Sequence, residues 1–160
     1  MPEHKVPSDE ELSDMLETRH KMSQTVRTEV SEKSQEWGYK VDYYEYEDAR
    51  TSVVARLGGS DAKAPLCLTG HLDVVPLGAR AWTKDPFAGE TDGDRLYGRG
   101  SSDMKAGVAA ILLAARSFAR KLAGTPGVVI VLTAAEENGC IGSRELAHTQ
   151  LLGRAGAVIV

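Results

Sequence analysis

The chain has 160 residues, 42% of them hydrophobic and 26% charged, which fits one globular core and argues against a disordered tail. Its 19 basic and 23 acidic side chains leave a net charge of -4, and no Lys/Arg-rich run points to nucleic acid or to an anionic membrane surface. No apolar run approaches the ~18 residues of a membrane span, and the polar start MPEHKVPSDEELSD lacks a signal-peptide core, so a cytoplasmic location is expected.

Residues 9–37 are predicted to be helical, because Leu12, Met15 and Leu16, then Met22, Val26 and Val30, recur at helical spacing. Gly38, after Trp37, is a helix stop signal. Residues 39–57 read as two strands, YKVDYYEYE and TSVVARL, on either side of a turn-like EDAR. Gly58, Gly59, Ser60 and Asp61 make a loop, and residues 65–70 (PLCLTG) a short buried strand that delivers His71 at its end. Between Val75 and Gly100 the chain is punctuated by Gly, Pro and Asp, so an irregular surface segment is expected, of a kind that often carries function.

Residues 104–122 are predicted to form an amphipathic helix with Val108, Ile111, Leu112, Ala115, Phe118 and Leu122 on one face. The run VVIVLT, residues 128–133, is expected to be a central strand buried on both faces. Residues 141–152 read as a helix and 157–160 as the start of another buried strand. This alternation implies an α/β fold, a mostly parallel mixed sheet flanked by helices on both faces. Cys67 and Cys140 form no CxxC pair and are expected to be packing residues; His4, His20 and His148 are expected at the surface.

Three clusters carry chemistry, each at a strand end or a helix start, where open α/β sheets bind ligands. GHLDVVP places His71 and Asp73 two apart on a strand, on the same side, so a carboxylate can orient a metal-binding imidazole. LYGRGSSDMKAG places Asp103 before the long helix, where a carboxylate stays ionised and can bridge two cations. A dinucleotide loop is excluded there, because the third glycine of GxGxxG would fall on Asp103. TAAEENGCIGS places Glu136 and Glu137 just past a buried strand, where a cation would relieve their repulsion and leave one free to accept a proton. Taken singly, each cluster also reads as an ordinary polar strand end, helix start or acidic turn. No GxSxG elbow and no HExxH helix supports a serine hydrolase or a zincin.

Asp103 follows His71 by 32 positions, and the glutamate pair begins 33 positions later. With GHLDVVP, WTKDPFAGETDGDRLYGRGSSDMKAG and VLTAAEENGCIGS in this order, the chain resembles the M20 metallopeptidase and deacylase family over about residues 37–160. The related M28 aminopeptidases share a similar site without the DPF…LYGRG…DMKAG stretch. The resemblance implies a zinc-exopeptidase-like fold and hydrolysis of N-acyl amino acids or small peptides. It implies two divalent ions, Zn²⁺ or Co²⁺, with His71, Asp103 and Glu137 as metal ligands and Asp103 as the bridge. Glu136 becomes the general base, Asp73 the residue that orients His71, and the Asp103–Met104 peptide is expected to be cis.

Catalytic zinc usually has three protein ligands. The three residues give each ion two, and the family adds an acidic residue and a distant histidine that this chain does not contain. The chain also ends within the apolar stretch GAVIV. Residues 1–160 are therefore expected to be part of a catalytic domain, without its C-terminal part or the second, lid and dimerisation domain. The full-length protein is expected to be a homodimer, and the isolated chain either a hydrolase or a catalytically incomplete module that binds metal or a partner weakly. The Ser/Pro-containing break that the family shows between two N-terminal helical pieces is missing from residues 9–37.

Overall fold

The structure is a computed structural model that describes residues 39–60 and 63–160, with Thr28 and Glu32 as isolated exposed helical residues. The chain divides into two compact units, Met1–Trp37 and Gly38–Val160. Apart from Thr28 and Glu32, the predicted helix over 9–37 lies outside the described residues, as do His4 and His20. The strands and the remaining helices belong to the second unit.

The two strands predicted over 39–57 form a hairpin, β1 (Tyr39–Glu47) and β2 (Arg50–Leu57), paired antiparallel around the Asp48–Ala49 turn. β3 (Leu66–His71) and β6 (Val128–Thr133) run parallel in the middle of the sheet, and β7 (Ala157–Ile159) pairs parallel with β3. The five-stranded order is β1-β2-β6-β3-β7, with β2 antiparallel to β6. The sheet is thus mixed, and its parallel half is the half that carries the candidate site. Within the segment 75–100 the chain is irregular except for a short hairpin, β4 (Thr91–Asp92) and β5 (Arg95–Leu96).

The period of two along the strands divides the core between two faces. Leu57, Ile130 and Leu132 pack with Val108 and Ala115 of α1 (Ala106–Phe118) on one face. Val54, Val129 and Val131 pack with Leu146 of α2 (Ile141–Ala147) on the other. Val54 and Leu146 are fully buried, so β6 is covered from both sides, as its unbroken apolar run requires.

Three expectations are corrected in detail. The helix predicted over 104–122 starts at Ala106, after a wide turn over Ser101–Lys105, and tightens into a 3-10 turn at Ala119–Lys121. Of its predicted apolar face, Leu112 and Phe118 are exposed. They stand at opposite edges of the stripe centred on Val108 and Ala115, outside the width that one sheet face covers. The helix predicted over 141–152 ends at Ala147. The Thr149 hydroxyl donates to the Leu146 carbonyl and accepts the Leu151 N–H, which gives the backbone an alternative to another helical turn. Thr125 does the same past α1, with Leu122 and Gly127. Finally, β7 is an exposed strand, because it pairs with β3 while α1 and α2 cover other strands.

Candidate metal centre

The site is built at the carboxyl ends of β3 and β6. His71, the last residue of β3, stands in register with Thr133, the last residue of β6, and the Leu72 N–H extends the ladder to the Thr133 carbonyl at 2.9 Å. Beyond Thr133 the chain turns sharply. The buried Ser52 hydroxyl of β2 accepts the Ala134 N–H at 3.2 Å, and buried Ala135 takes a positive φ of 57°. The turn closes when the Cys140 N–H reaches the Glu136 carbonyl and the Ile141 N–H reaches that of Ala135. Gly142 lets α2 start against this turn: a Cβ there would lie 1.9 Å from the Ala134 carbonyl oxygen. At Gly70 a Cβ would meet the Met104 thioether, which packs over β3 and accepts the His71 N–H at 3.3 Å.

These turns bring four of the predicted residues around one imidazole. His71 is 6% exposed. Its Nε2 lies 3.0 Å from Asp103 Oδ1 and 3.8 Å from Glu136 Oε2. Its Nδ1 lies 3.1 Å from the Asp73 carbonyl oxygen and 3.7 Å from Asp73 Oδ1. One ligand atom each from His71, Glu136 and Glu137 falls within 4.8 Å of the others. Asp103 joins this group through its bond to His71, and its side chain is 74% exposed, which leaves the carboxylate room for further partners. The Asp103–Met104 peptide is cis.

Burial alone would lower the pKa of His71. The bond to Asp103, the Asp73 carbonyl and the charges of Asp73 and Glu136 together outweigh it, so the pKa is raised above the ordinary histidine value. Both ring nitrogens face acceptors, which suits the imidazolium. A donor set of one imidazole and several converging carboxylates equally suits a divalent cation, which would take the place of the Nε2 proton and offset the repulsion among Asp103, Glu136 and Glu137.

Comparison with known proteins gives the family. The description "Peptidase family M20/M25/M40" matches residues 67–159, more than half of the chain. The chain belongs to the M20/M25/M40 peptidase family. A succinyl-diaminopimelate desuccinylase from Rhodospirillum centenum is 47% identical over 89 residues, 55% of this chain and 22% of that protein. The one from Xylella fastidiosa strain M23 is 41% identical over 108 residues, 64% of this chain and 29% of that protein. The chain therefore spans between a fifth and a third of these relatives. An M20 family metallo-carboxypeptidase from Sulfolobus solfataricus superposes with a TM-score of 0.65 at 25% identity, over 82% of this chain and 30% of that one. Human carnosine dipeptidase 1 shares the fold, with a TM-score of 0.64 at 24% identity over 82% of this chain and 31% of that one.

Within this M20 chain one cysteine differs from expectation. Cys140, read as a packing residue, is exposed, in a left-handed conformation at the start of α2, with its Sγ 3.7 Å from Glu136 Oε1. Cys67 is partly buried against the Val54–Leu146 cluster, and burial raises its thiol pKa. His148 is exposed, as expected. Ser52 and Lys105 were not legible as site residues. Ser52 holds the Ala134 N–H from a strand far away in sequence, and the Lys105 ammonium donates to the Leu72 carbonyl at 2.6 Å. Only the Lys that follows Asp-Met in DMKAG gives a hint of the second.

Proposed function

We propose that this chain is the catalytic core segment of a dinuclear metal-dependent amidohydrolase that cleaves N-acyl amino acids or small peptides, of the deacylase and desuccinylase kind. The observation that carries the reading is the convergence of Asp103, Glu136 and Glu137 on the buried His71 ring. His71, Asp103 and Glu137 would hold two divalent ions, Zn²⁺ or Co²⁺, with Asp103 shared between them. When bound, such ions polarise the amide carbonyl and lower the pKa of water. Glu136 accepts the proton of the attacking water and delivers it to the leaving amine. Its carboxylate, 3.8 Å from His71 Nε2 and 43% exposed, lies beside the ligands and within reach of solvent.

Glu136→Ala tests this division of labour in the full-length protein. It is expected to abolish release of amine from an N-succinyl or N-acetyl amino acid while the protein still binds Zn²⁺. Retained turnover would remove Glu136 from the mechanism. The reading carries with it a cytoplasmic enzyme and a homodimeric full-length parent.

A second reading rests on the ligand set itself. The proposed residues give each ion two protein donors, where catalytic zinc usually has three. Among the described residues no second histidine stands at the site. In this reading residues 1–160 are part of a longer catalytic domain and bind metal weakly without turnover. Assay of the purified chain with Zn²⁺ or Co²⁺ separates the two: turnover of an N-acetyl amino acid refutes the second.

A further inference from the structure

The Asp73 carboxylate does not spend its oxygens on His71. Oδ1 accepts the N–H of Glu136 and Oδ2 that of Glu137, both at 3.0 Å. The His71 Nδ1 instead lies nearest the Asp73 main-chain carbonyl, at 3.1 Å, with the carboxylate farther away at 3.7 Å. We propose that Asp73 divides its work: its carboxylate is a positioning group for the Glu136–Glu137 backbone, and its carbonyl is the hydrogen-bond acceptor that fixes the tautomer of the His71 ring.

Three features support this. Ala135 at φ 57° turns the following N–H groups the same way, into the kind of concavity that successive backbone amides offer an anion. The Leu72 N–H bond to the Thr133 carbonyl locks β3 and β6 together one residue before Asp73, so the carboxylate meets that concavity by register. The Asp73 side chain is 20% exposed, so the two charge-assisted bonds are largely shielded from water. An acid at this position thereby ties the two glutamate side chains to the strand that carries the imidazole. Loss of the carboxylate would free the glutamates and leave the ring where it is. The inference deepens the proposed metal reading and uses the same site.

Metal-free protein labelled with ¹⁵N tests it. In Asp73→Asn one oxygen can still accept, but the amide group turns a donor towards the second N–H. At a pH high enough to keep His71 neutral in both proteins, the amide protons of Glu136 and Glu137 are expected to move upfield, and the ¹⁵N signals of the His71 ring to keep the wild-type tautomer pattern. A changed ring pattern with unmoved Glu136 and Glu137 amides would overturn the proposal. Should the variant not fold, hydrogen exchange on the wild type decides. Both amides are expected to be protected by more than about tenfold against the unstructured rate, as hydrogen-bonded groups are. Protection below that would overturn it. Zn²⁺ titration of the wild type keeps the two ideas apart: absence of binding counts against the metal reading, while the metal-free spectra still decide the role of Asp73.

Discussion

β6 and β7 have nearly the same chemistry and opposite surroundings. Both are short, apolar, β-branched and parallel to β3. β6 lies between β2 and β3, with α1 over one face and α2 over the other, and Ile130 is 3% exposed. β7 pairs with β3, and Ile159 is 54% exposed. Composition makes the strand; the layers around it decide whether it is buried. The candidate site hangs from the ends of β3 and β6, so its precision comes from the packed half of the sheet.

Substitutions can break this contrast. Ile130→Ala should cost about 2–5 kcal/mol in urea unfolding, from lost burial and a cavity that two rigid layers cannot collapse. Gly142→Ala should cost about 1–3 kcal/mol, because the new methyl meets the Ala134 carbonyl and pushes α2 off the β6 end. It should also move the Glu136 and Glu137 amide signals, which a loss of packing alone would not do. Ile159→Ala should change stability by no more than about 0.5 kcal/mol, as exposed substitutions do. A cost at Ile159 equal to that at Ile130 would contradict the comparison.

The smallest effect expected is one of pH, and it sharpens the link between the packed half and the site. The folded pKa of His71 is raised by its carboxylate and carbonyl partners. The folded chain then holds the His71 proton more tightly than the unfolded chain does. This group's stabilisation is full below the ordinary histidine value and fades as pH rises through the raised folded value. Thermal unfolding of the metal-free protein should show the fade across that window, and His71→Gln should remove it. A loss on acidification through the same window would reverse the sign.

Much of this was legible in sequence because it follows from periodicity. The strands at 39–57, 66–71 and 128–133 and the helix behind DMKAG come from alternation, apolar runs and helical spacing. His71, Asp103, Glu136 and Glu137 stood out through the order and spacing of their three motifs taken together, since each cluster alone also reads as an ordinary polar strand end, helix start or acidic turn. Other features had no such signal. Leu112 and Phe118 carry helical periodicity, yet their exposure depends on how wide a sheet face the helix meets. α2 stops early through the Thr149 hydroxyl, and a threonine at that distance is compatible with continuing the helix. The partners of the Asp73 carboxylate are backbone N–H groups, which every non-proline residue carries, so no pattern of side chains marks them.

Calorimetric titration of the purified chain with Zn²⁺ tests the metal centre most directly. The account predicts saturable binding in the wild type and in Glu136→Ala, a loss of at least about tenfold in affinity for His71→Ala and for Glu137→Ala, and no change for His148→Ala. Wild-type protein without saturable binding, or equal affinity in all four variants, would contradict it.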